Sequence, residues 1–152
     1  AHHGKERAED GLQGLKANLA RKPDGGDREA VRDVRAGLCD VAIGNTYYMA
    51  AMLKNPDQKA WADAVRIVFP NANDRGTHVN VSGMVLAAHA PNKASAEKLM
   101  AYLVSPAAQK IYADANSEYP VVPGIDATEL VKSWGELKPD SLPLGEIARL
   151  RK

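Results

Sequence analysis

The chain has 152 residues, of which 45% are hydrophobic and 26% are charged, and its 20 Lys and Arg residues balance 19 Asp and Glu. These values are typical of one globular domain, and the near-zero net charge argues against a nucleic-acid partner or an anionic membrane surface. No apolar run reaches the ~20 residues that cross a bilayer, so direct membrane insertion is not expected.

The first part of the chain predicts helices around one strand. Apolar residues at helical spacing predict an amphipathic helix between residues 2 and 20. A Pro-Gly turn then precedes a second helix, through about residue 37, that Asp27 is expected to cap. The run "DVAI" at 40–43 predicts a short buried strand, and "GNTYY" joins it to a third helix that Pro56 ends. This order favours an α/β layer over a helical bundle or a β-sandwich.

The second part predicts two more strands and four helical segments. "VRIVF" at 65–69 and "VNVSGMVLAA" at 79–88 predict strands on either side of a polar loop. Helices are predicted at 92–105, with an Asn cap, and at 106–116, with a proline in the first turn. Two weaker helical pieces follow at 126–135 and 143–152, and the last is expected to be incomplete.

Motifs of several enzyme classes are missing from the sequence. It contains no Ser nucleophile elbow, no phosphate-binding loop, no HExxH and no paired CxxC. The four histidines, His2, His3, His78 and His89, lack metal-ligand spacing and are more typical of surface or capping positions. The "DGGD" turn lacks the alternating oxygen ligands of a calcium loop, which favours a turn followed by a helix cap. An enzymatic function is therefore not expected.

The adjacent tyrosines Tyr47 and Tyr48 are the strongest candidates for a binding site. They follow a predicted strand and open the next helix, where open α/β sheets bind ligands and helix N–H groups favour anions. Because consecutive helical residues point ~100° apart, the simpler interpretation puts one ring in the core and one at the surface. Alternatively, both phenols bind one hard cation.

The second interpretation has a chemical basis. Ionising a phenol whose pKa is near 10 costs about 4 kcal/mol at pH 7, which direct contact with a trivalent cation can supply. Hard, highly charged ions prefer oxygen donors such as phenolate, whereas Zn(II) more typically recruits His or Cys. Two phenolates at this junction could therefore converge on one Fe(III).

Four stretches resemble, in order, the second half of the periplasmic ferric-ion-binding proteins of bacterial ABC importers, a transferrin-like branch of the two-lobed solute-binding proteins. They are "AHHGKERAEDGLQGLKANLARKPDGGD", "GLCDVAIGNTYYMAAM", "RGTHVNVSGMVLAAHAPNKASAEKLMAYLVSPAAQKIYA" and "SEYPVVPGI". The resemblance implies an α/β fold, one lobe of a type II periplasmic-binding-protein-like fold, with a mixed sheet flanked by helices. We expect a ligand-binding lobe at 1–120 and a truncated C-terminal helical segment at 121–152.

The resemblance also implies roles for individual residues. Adjacent tyrosines are Fe(III) ligands in that family, which assigns this role to Tyr47 and Tyr48. Some members hold a synergistic anion such as carbonate or phosphate, contacted by an Asn at the position of Asn45. A second anion-contacting Asn lies where this chain has Asp27, and a carboxylate there would repel an anion. The remaining iron ligands come from the opposite lobe, whose positions are not in this chain.

The implied function is the Fe(III)-binding component of an ABC iron importer, which receives iron in the periplasm and delivers it to a permease in the inner membrane. Without the first lobe the iron shell stays open, so weak, anion-dependent binding is expected. Two alternatives remain open. One is a solute-binding protein for a small organic or phosphorylated anion, and the other is an enzyme domain with a tyrosine as general acid or base.

Four further residues receive structural assignments. Tyr102 and Tyr112 lie on predicted helices at core spacing and are expected to pack in the core. Tyr119 in "EYPV" is expected beneath the site or the hinge. Arg75 in "NDRGTH" is interpreted as an ordinary loop charge, although it could reach an anion at the cleft rim.

Overall fold

The computed structural model describes residues 2–149, which form eight α-helices. Within these residues, the one pairing of strand type is an isolated parallel bridge between Thr77 and Pro139. No helix in this range is both long and apolar enough to cross a membrane. The end of the last predicted helix, at 150–152, lies outside the described residues, as does residue 1. The helices are α1 (Gly4–Ala17), α2 (Asp27–Arg35), α3 (Thr46–Leu53), α4 (Pro56–Ala62), α5 (Lys93–Leu103), α6 (Pro106–Asn116), α7 (Glu129–Lys132) and α8 (Leu144–Arg149).

Polar caps followed by proline start two of these helices. α6 begins at Pro106 after Ser105, whose hydroxyl oxygen accepts a hydrogen bond from the Ala108 N–H at 3.3 Å. α4 begins in the same way at Pro56, after Asn55, whose side-chain oxygen caps the helix. The prediction that Pro56 only ends the preceding helix is therefore wrong, because the Asn-Pro pair also starts a new one.

The start of α2 differs from the prediction by one residue. Gly26 is the N-cap in an extended conformation, and its N–H donates to the Glu29 carboxylate at 2.8 Å. Asp27 is therefore the first helical residue and does not cap α2. Its carboxylate instead accepts hydrogen bonds from Asn45, at the start of α3.

A small apolar core joins α2, α3 and α4. Met49 and Met52 of α3 and Ala62 of α4 are buried, and Met52 has no exposed surface at all. Because Met49 and Met52 pack one face of α3 into this core, the orientation of the helix, including its first turn, is fixed. Partly buried hydrophobic residues surround the cluster: Val31, Leu53, Trp61, Val65, Ile67 and Trp134.

The three predicted strands, at 40–43, 65–69 and 79–88, are unpaired within the described part of the chain. In the segments 40–43 and 79–88 most large apolar side chains are exposed, including Val41 at 83%, Ile43 at 84% and Val85 at 90%, whereas Val65 and Ile67 pack partly buried against the core. The expectation of a buried strand at 40–43 is therefore wrong for this chain by itself, and residues 2–149 form no mixed sheet. A strand pattern predicts an extended backbone, but the ladder needs a neighbouring strand about 4.8 Å away.

Two helices also expose faces that were expected to pack inward. α1 buries none of its residues, and its Leu12 and Leu15 are 66% and 49% exposed. On α5, Tyr102 is 48% exposed, so its assignment to the core is wrong, whereas Tyr112 on α6 is half-buried. The reason is the same as for the strands: helical periodicity predicts that a face needs cover but not which segment covers it.

Gly76 allows two distant segments to approach each other at the isolated bridge. It has a φ of +100°, and an added Cβ would lie 2.7 Å from the carbonyl oxygens of Lys138 and Pro139. The Thr77 N–H donates to Lys138 at 2.8 Å directly beside it. This contact leaves room for no residue other than glycine.

We expect Gly76→Ala to lower the free energy of unfolding by about 1–3 kcal/mol, because the positive φ and the backbone clash both oppose alanine. Urea denaturation followed by circular dichroism measures this loss. Gly83→Ala is the matched control, since nothing lies within 4 Å of a Cβ at that position and its φ is not positive. Equal losses in the two variants would contradict the steric explanation.

Candidate metal centre

The tyrosine pair lies in the first turn of α3. Asn45 is the N-cap, with φ −87° and ψ 138°, and Tyr47 and Tyr48 follow the first helical residue. Both tyrosines are half-buried. Their ring centroids are 4.7 Å apart, and the ring planes meet at 46°. The two rings therefore lie side by side at the start of the helix.

The phenol of Tyr47 is held in its neutral form. Burial raises its pKa most, and the Tyr48 phenol and the Asp27 carboxylate raise it further. Hydrogen bonding to the Tyr48 side chain and the charge of Glu118 act in the same direction. A cation that binds the Tyr47 oxygen must therefore displace a proton, so its affinity falls as the pH is lowered.

Charges of both signs lie next to the pair. The Arg28 guanidinium carbon is 5.7 Å from the centre of the Tyr48 ring. The Arg28 Nε is buried and has no hydrogen-bond partner within residues 2–149. The Arg28 guanidinium therefore makes a cation–π contact with the Tyr48 ring, while the carboxylates of Asp27 and Glu118 raise the pKa of Tyr47 and would favour an incoming cation. The two carboxylates therefore favour a positive ion beside the pair, although they oppose ionisation of Tyr47 in its absence.

Asp27 holds Asn45 although the two residues are 18 positions apart in the sequence. Its Oδ1 accepts hydrogen bonds from the Asn45 backbone N–H at 2.6 Å and from Asn45 Nδ2 at 3.3 Å. The Asn45 side chain makes no capping hydrogen bond to α3. Gly44 permits the close approach, since a Cβ there would lie 3.0 Å from Asp27 Oδ1. No local sequence signal predicts this contact, because it joins two turns that only the fold brings together.

Arg75 belongs to a different cluster, with the two N-terminal histidines. His2 Nε2 and Arg75 Nε lie 2.7 Å and 3.5 Å from Asp140 Oδ2, and Arg75 Nη1 lies 3.1 Å from His3 Nε2. Arg75 is therefore an ion-pair residue that links the start of α1 to the C-terminal segment, rather than a solvated loop charge. Tyr119 is half-buried, and burial raises the pKa of its phenol.

The candidate metal ligands at the start of α3 are the phenols of Tyr47 and Tyr48. Hard oxygen donors of this kind match a trivalent cation better than they match zinc. Within residues 2–149 no group of three or more His, Cys, Asp or Glu side chains is placed to hold a metal ion. The two phenols are therefore oxygen donors of the kind that a hard trivalent cation prefers, and they would fill only part of its coordination shell.

Comparisons with known proteins identify relatives of the chain. Iron uptake protein A2 of Synechocystis is 40% identical, over 98% of this chain and 44% of that protein. Ferric iron-binding protein A of Mannheimia haemolytica, solved in an open conformation, is 51% identical with a TM-score of 0.91, over 97% of this chain and 46% of that one. A Trichodesmium protein solved with iron and citrate is 44% identical with a TM-score of 0.86, over 91% of this chain and 44% of that one.

The chain thus spans less than half the length of each of these relatives. Their high TM-scores show that its helices and extended segments are arranged as in the corresponding part of a ferric-binding protein. The model of the family described as bacterial extracellular solute-binding protein matches residues 12–139. The chain therefore belongs to the bacterial extracellular solute-binding proteins.

Proposed function

We propose that this chain carries two Fe(III) ligands, Tyr47 and Tyr48, of the solute-binding component of an ABC iron importer. The observation that carries the proposal is the pair of half-buried phenols, with ring centroids 4.7 Å apart, beside the carboxylates of Asp27 and Glu118. The names of the relatives, which refer to iron uptake and ferric iron binding, support the choice of cation. The solute is bound and released with no bond made or broken in it, so the chain is not an enzyme.

In this proposal each residue at the start of α3 has a separate role. Tyr47 and Tyr48 give up their protons and bind iron as phenolates, and Arg28 packs against the Tyr48 ring. Asn45 orients the first turn or contacts an anion in the iron shell. A bound anion such as carbonate or phosphate is compatible with a relative that holds iron together with citrate.

The rest of a longer protein would complete the shell and the fold. Residues 1–120 form the ligand-binding lobe and residues 121–152 the C-terminal helical segment in this proposal. The exposed apolar residues of α1 and of the segments 40–43 and 79–88 support a first lobe that covers them and pairs with the extended segments in a mixed sheet. The assembled protein would act in the periplasm and deliver iron to a permease in the inner membrane.

Titration of the chain with a ferric salt tests the proposal directly. We expect a visible phenolate-to-iron charge-transfer band that saturates with added iron and disappears when a strong chelator is added. Calorimetry with citrate alone provides the matched measurement for an organic-anion solute. If no band appeared and citrate bound in iron-free solution, we would conclude that the solute is an organic anion and not Fe(III).

A further inference from the structure

We propose that the peptide between Asp24 and Gly25 is a modification site, at which Asp24 converts spontaneously to isoaspartate, and that this change loosens the start of α2. The pair lies in the exposed "DGGD" turn between α1 and α2. The inference does not depend on which solute the chain binds. It concerns the covalent stability of the segment that leads into the helix beside the tyrosine pair.

Isoaspartate forms through a succinimide ring and needs no reagent except water. The amide nitrogen of the glycine gives up its proton and attacks the side-chain carboxyl carbon of the aspartic acid before it. A C–N bond forms, the bond from that carbon to the hydroxyl oxygen breaks, and the hydroxyl leaves with the amide proton as water. Water then opens the ring. Attack on the side-chain carbonyl carbon restores aspartate, whereas attack on the main-chain carbonyl carbon gives isoaspartate, whose backbone runs through the former side-chain methylene.

The turn brings the reacting groups together. The Gly25 N–H donates to Asp24 Oδ1 at 2.9 Å, so the nitrogen lies beside the carboxyl group that it would attack. Arg21 Nη2 donates to the main-chain oxygen of Asp24 at 3.1 Å. A guanidinium on this oxygen withdraws electron density from the peptide, which helps the Gly25 nitrogen to lose its proton. Asp24 and Gly25 are both exposed, so water reaches the ring.

The fold also requires the residue type that makes this reaction fast. Gly25 has a φ of +78°, and a Cβ added there would lie 2.9 Å from the Cβ and Cγ of Glu29. Glu29 is needed at this place, because its carboxylate accepts a hydrogen bond from the Gly26 N–H at the start of α2. A side chain on the residue after Asp24 would hinder the attack, but the turn accommodates only glycine there. The conformation of the turn therefore keeps a susceptible Asp-Gly pair in this position.

A second Asp-Gly pair in the chain provides an internal control. Asp10 and Gly11 are also exposed, but they lie inside α1. Within a helix the glycine N–H points along the axis to a carbonyl of the preceding turn, so its nitrogen is not free to turn toward the carboxyl group. The helix has to open locally before the ring can close. The same pair of residues should therefore react at Asp24 and stay largely intact at Asp10.

The product would loosen the first turn of α2. Isoaspartate lengthens the main chain by one carbon shortly before the capping residue Gly26. The oxygen of Gly26 accepts the first hydrogen bond of the helix, from the Ala30 N–H at 3.1 Å. Asp27 and Arg28, which reach the start of α3, lie in this turn. A longer backbone here would therefore disturb the part of α2 that faces the tyrosine pair.

The test is peptide mapping of the chain after storage for several weeks at physiological temperature and mildly acidic pH. Trypsin releases Asp10 in the peptide 8–16 and Asp24 in the peptide 22–28. Chromatography separates the isomers, and electron-transfer fragmentation shows which aspartate has changed. We expect isoaspartate at Asp24 to exceed that at Asp10 by about fivefold or more. Equal amounts at the two positions, or none at Asp24, would overturn the inference.

A variant tests the consequence for α2. Asp24→Glu keeps the charge, but the larger ring that a glutamate would have to form closes far more slowly. The Ala30 amide hydrogen should exchange about tenfold faster in the isoaspartyl fraction of the stored chain than in the fresh chain. Stored and fresh Asp24→Glu should exchange alike. Unchanged exchange in the isoaspartyl fraction would overturn the loosening of α2, and so would an equal acceleration in stored Asp24→Glu.

Discussion

Replacing both tyrosines of the pair, as Tyr47→Phe/Tyr48→Phe, is expected to abolish the ferric charge-transfer band and weaken iron binding by more than about 100-fold. Residues that only support metal ligands cost ~10–100-fold when they are changed, so the loss of two direct donors should exceed that range. Phenylalanine keeps the ring and its packing but removes the oxygen, so the first turn of α3 should persist. Absorbance titration with a ferric salt, together with circular dichroism of the metal-free protein, measures both parts of this result.

Tyr102→Phe/Tyr112→Phe is the matched control for this experiment. It also removes two tyrosine hydroxyl groups, but from α5 and α6, so this variant should keep the band and the affinity of the unmodified chain. If both double variants bound iron equally well, the phenols at the start of α3 would not be ligands.

Binding should also weaken as the pH falls, because each phenolate has to compete with a proton and the pKa of Tyr47 is already raised.

The second large effect is expected at Met52, whose side chain has no exposed surface in the core between α3 and α4. Met52→Ala should lower the free energy of unfolding by about 2–5 kcal/mol, because it removes buried apolar area and leaves a cavity that the small core fills poorly. Met52 lies one helical turn after Tyr48, so this loss should also loosen the first turn of α3. Urea denaturation monitored by circular dichroism gives the change in stability.

Met84→Ala provides the comparison for the same substitution on an open surface. Met84 is 46% exposed, so its truncation should change the free energy of unfolding by no more than about 0.5 kcal/mol. If the two methionine variants lost equal stability, the cluster around Met52 would not be the core that holds α3.

The sequence predicts the helices well where capping and periodicity agree. The helix at 106–116 is predicted with the bounds that the structure has, because Pro106 in its first turn is a start signal that depends on no distant part of the chain. The cap that Ser105 provides is not part of that prediction, which ends the preceding helix at this residue. The strand at 79–88 and the inward face of α5 are predicted less well. Periodicity is local, whereas strand pairing and burial depend on segments far away in the sequence or outside this chain. For this reason the sequence predicts Tyr102 in the core, whereas in the structure it is 48% exposed.

The site shows the same division between local and distant information. The position of the tyrosine pair in the first turn of α3 follows from "GNTYY" itself, and the structure has both rings there, side by side. The partners of the pair could not be predicted. Asp27 and Arg28 belong to α2, and their approach to Asn45 and Tyr48 requires the packing of α2 on α3.

The unpaired segment 79–88 has a consequence for the behaviour of the separated chain. It contains no charged residue and no proline, and its Val81 and Val85 are exposed. Charges and prolines are the usual means by which proteins prevent edge-to-edge addition of strands. In a concentrated solution the most available strand of suitable length belongs to another copy of the same molecule. Self-association should therefore begin at this segment and increase with concentration.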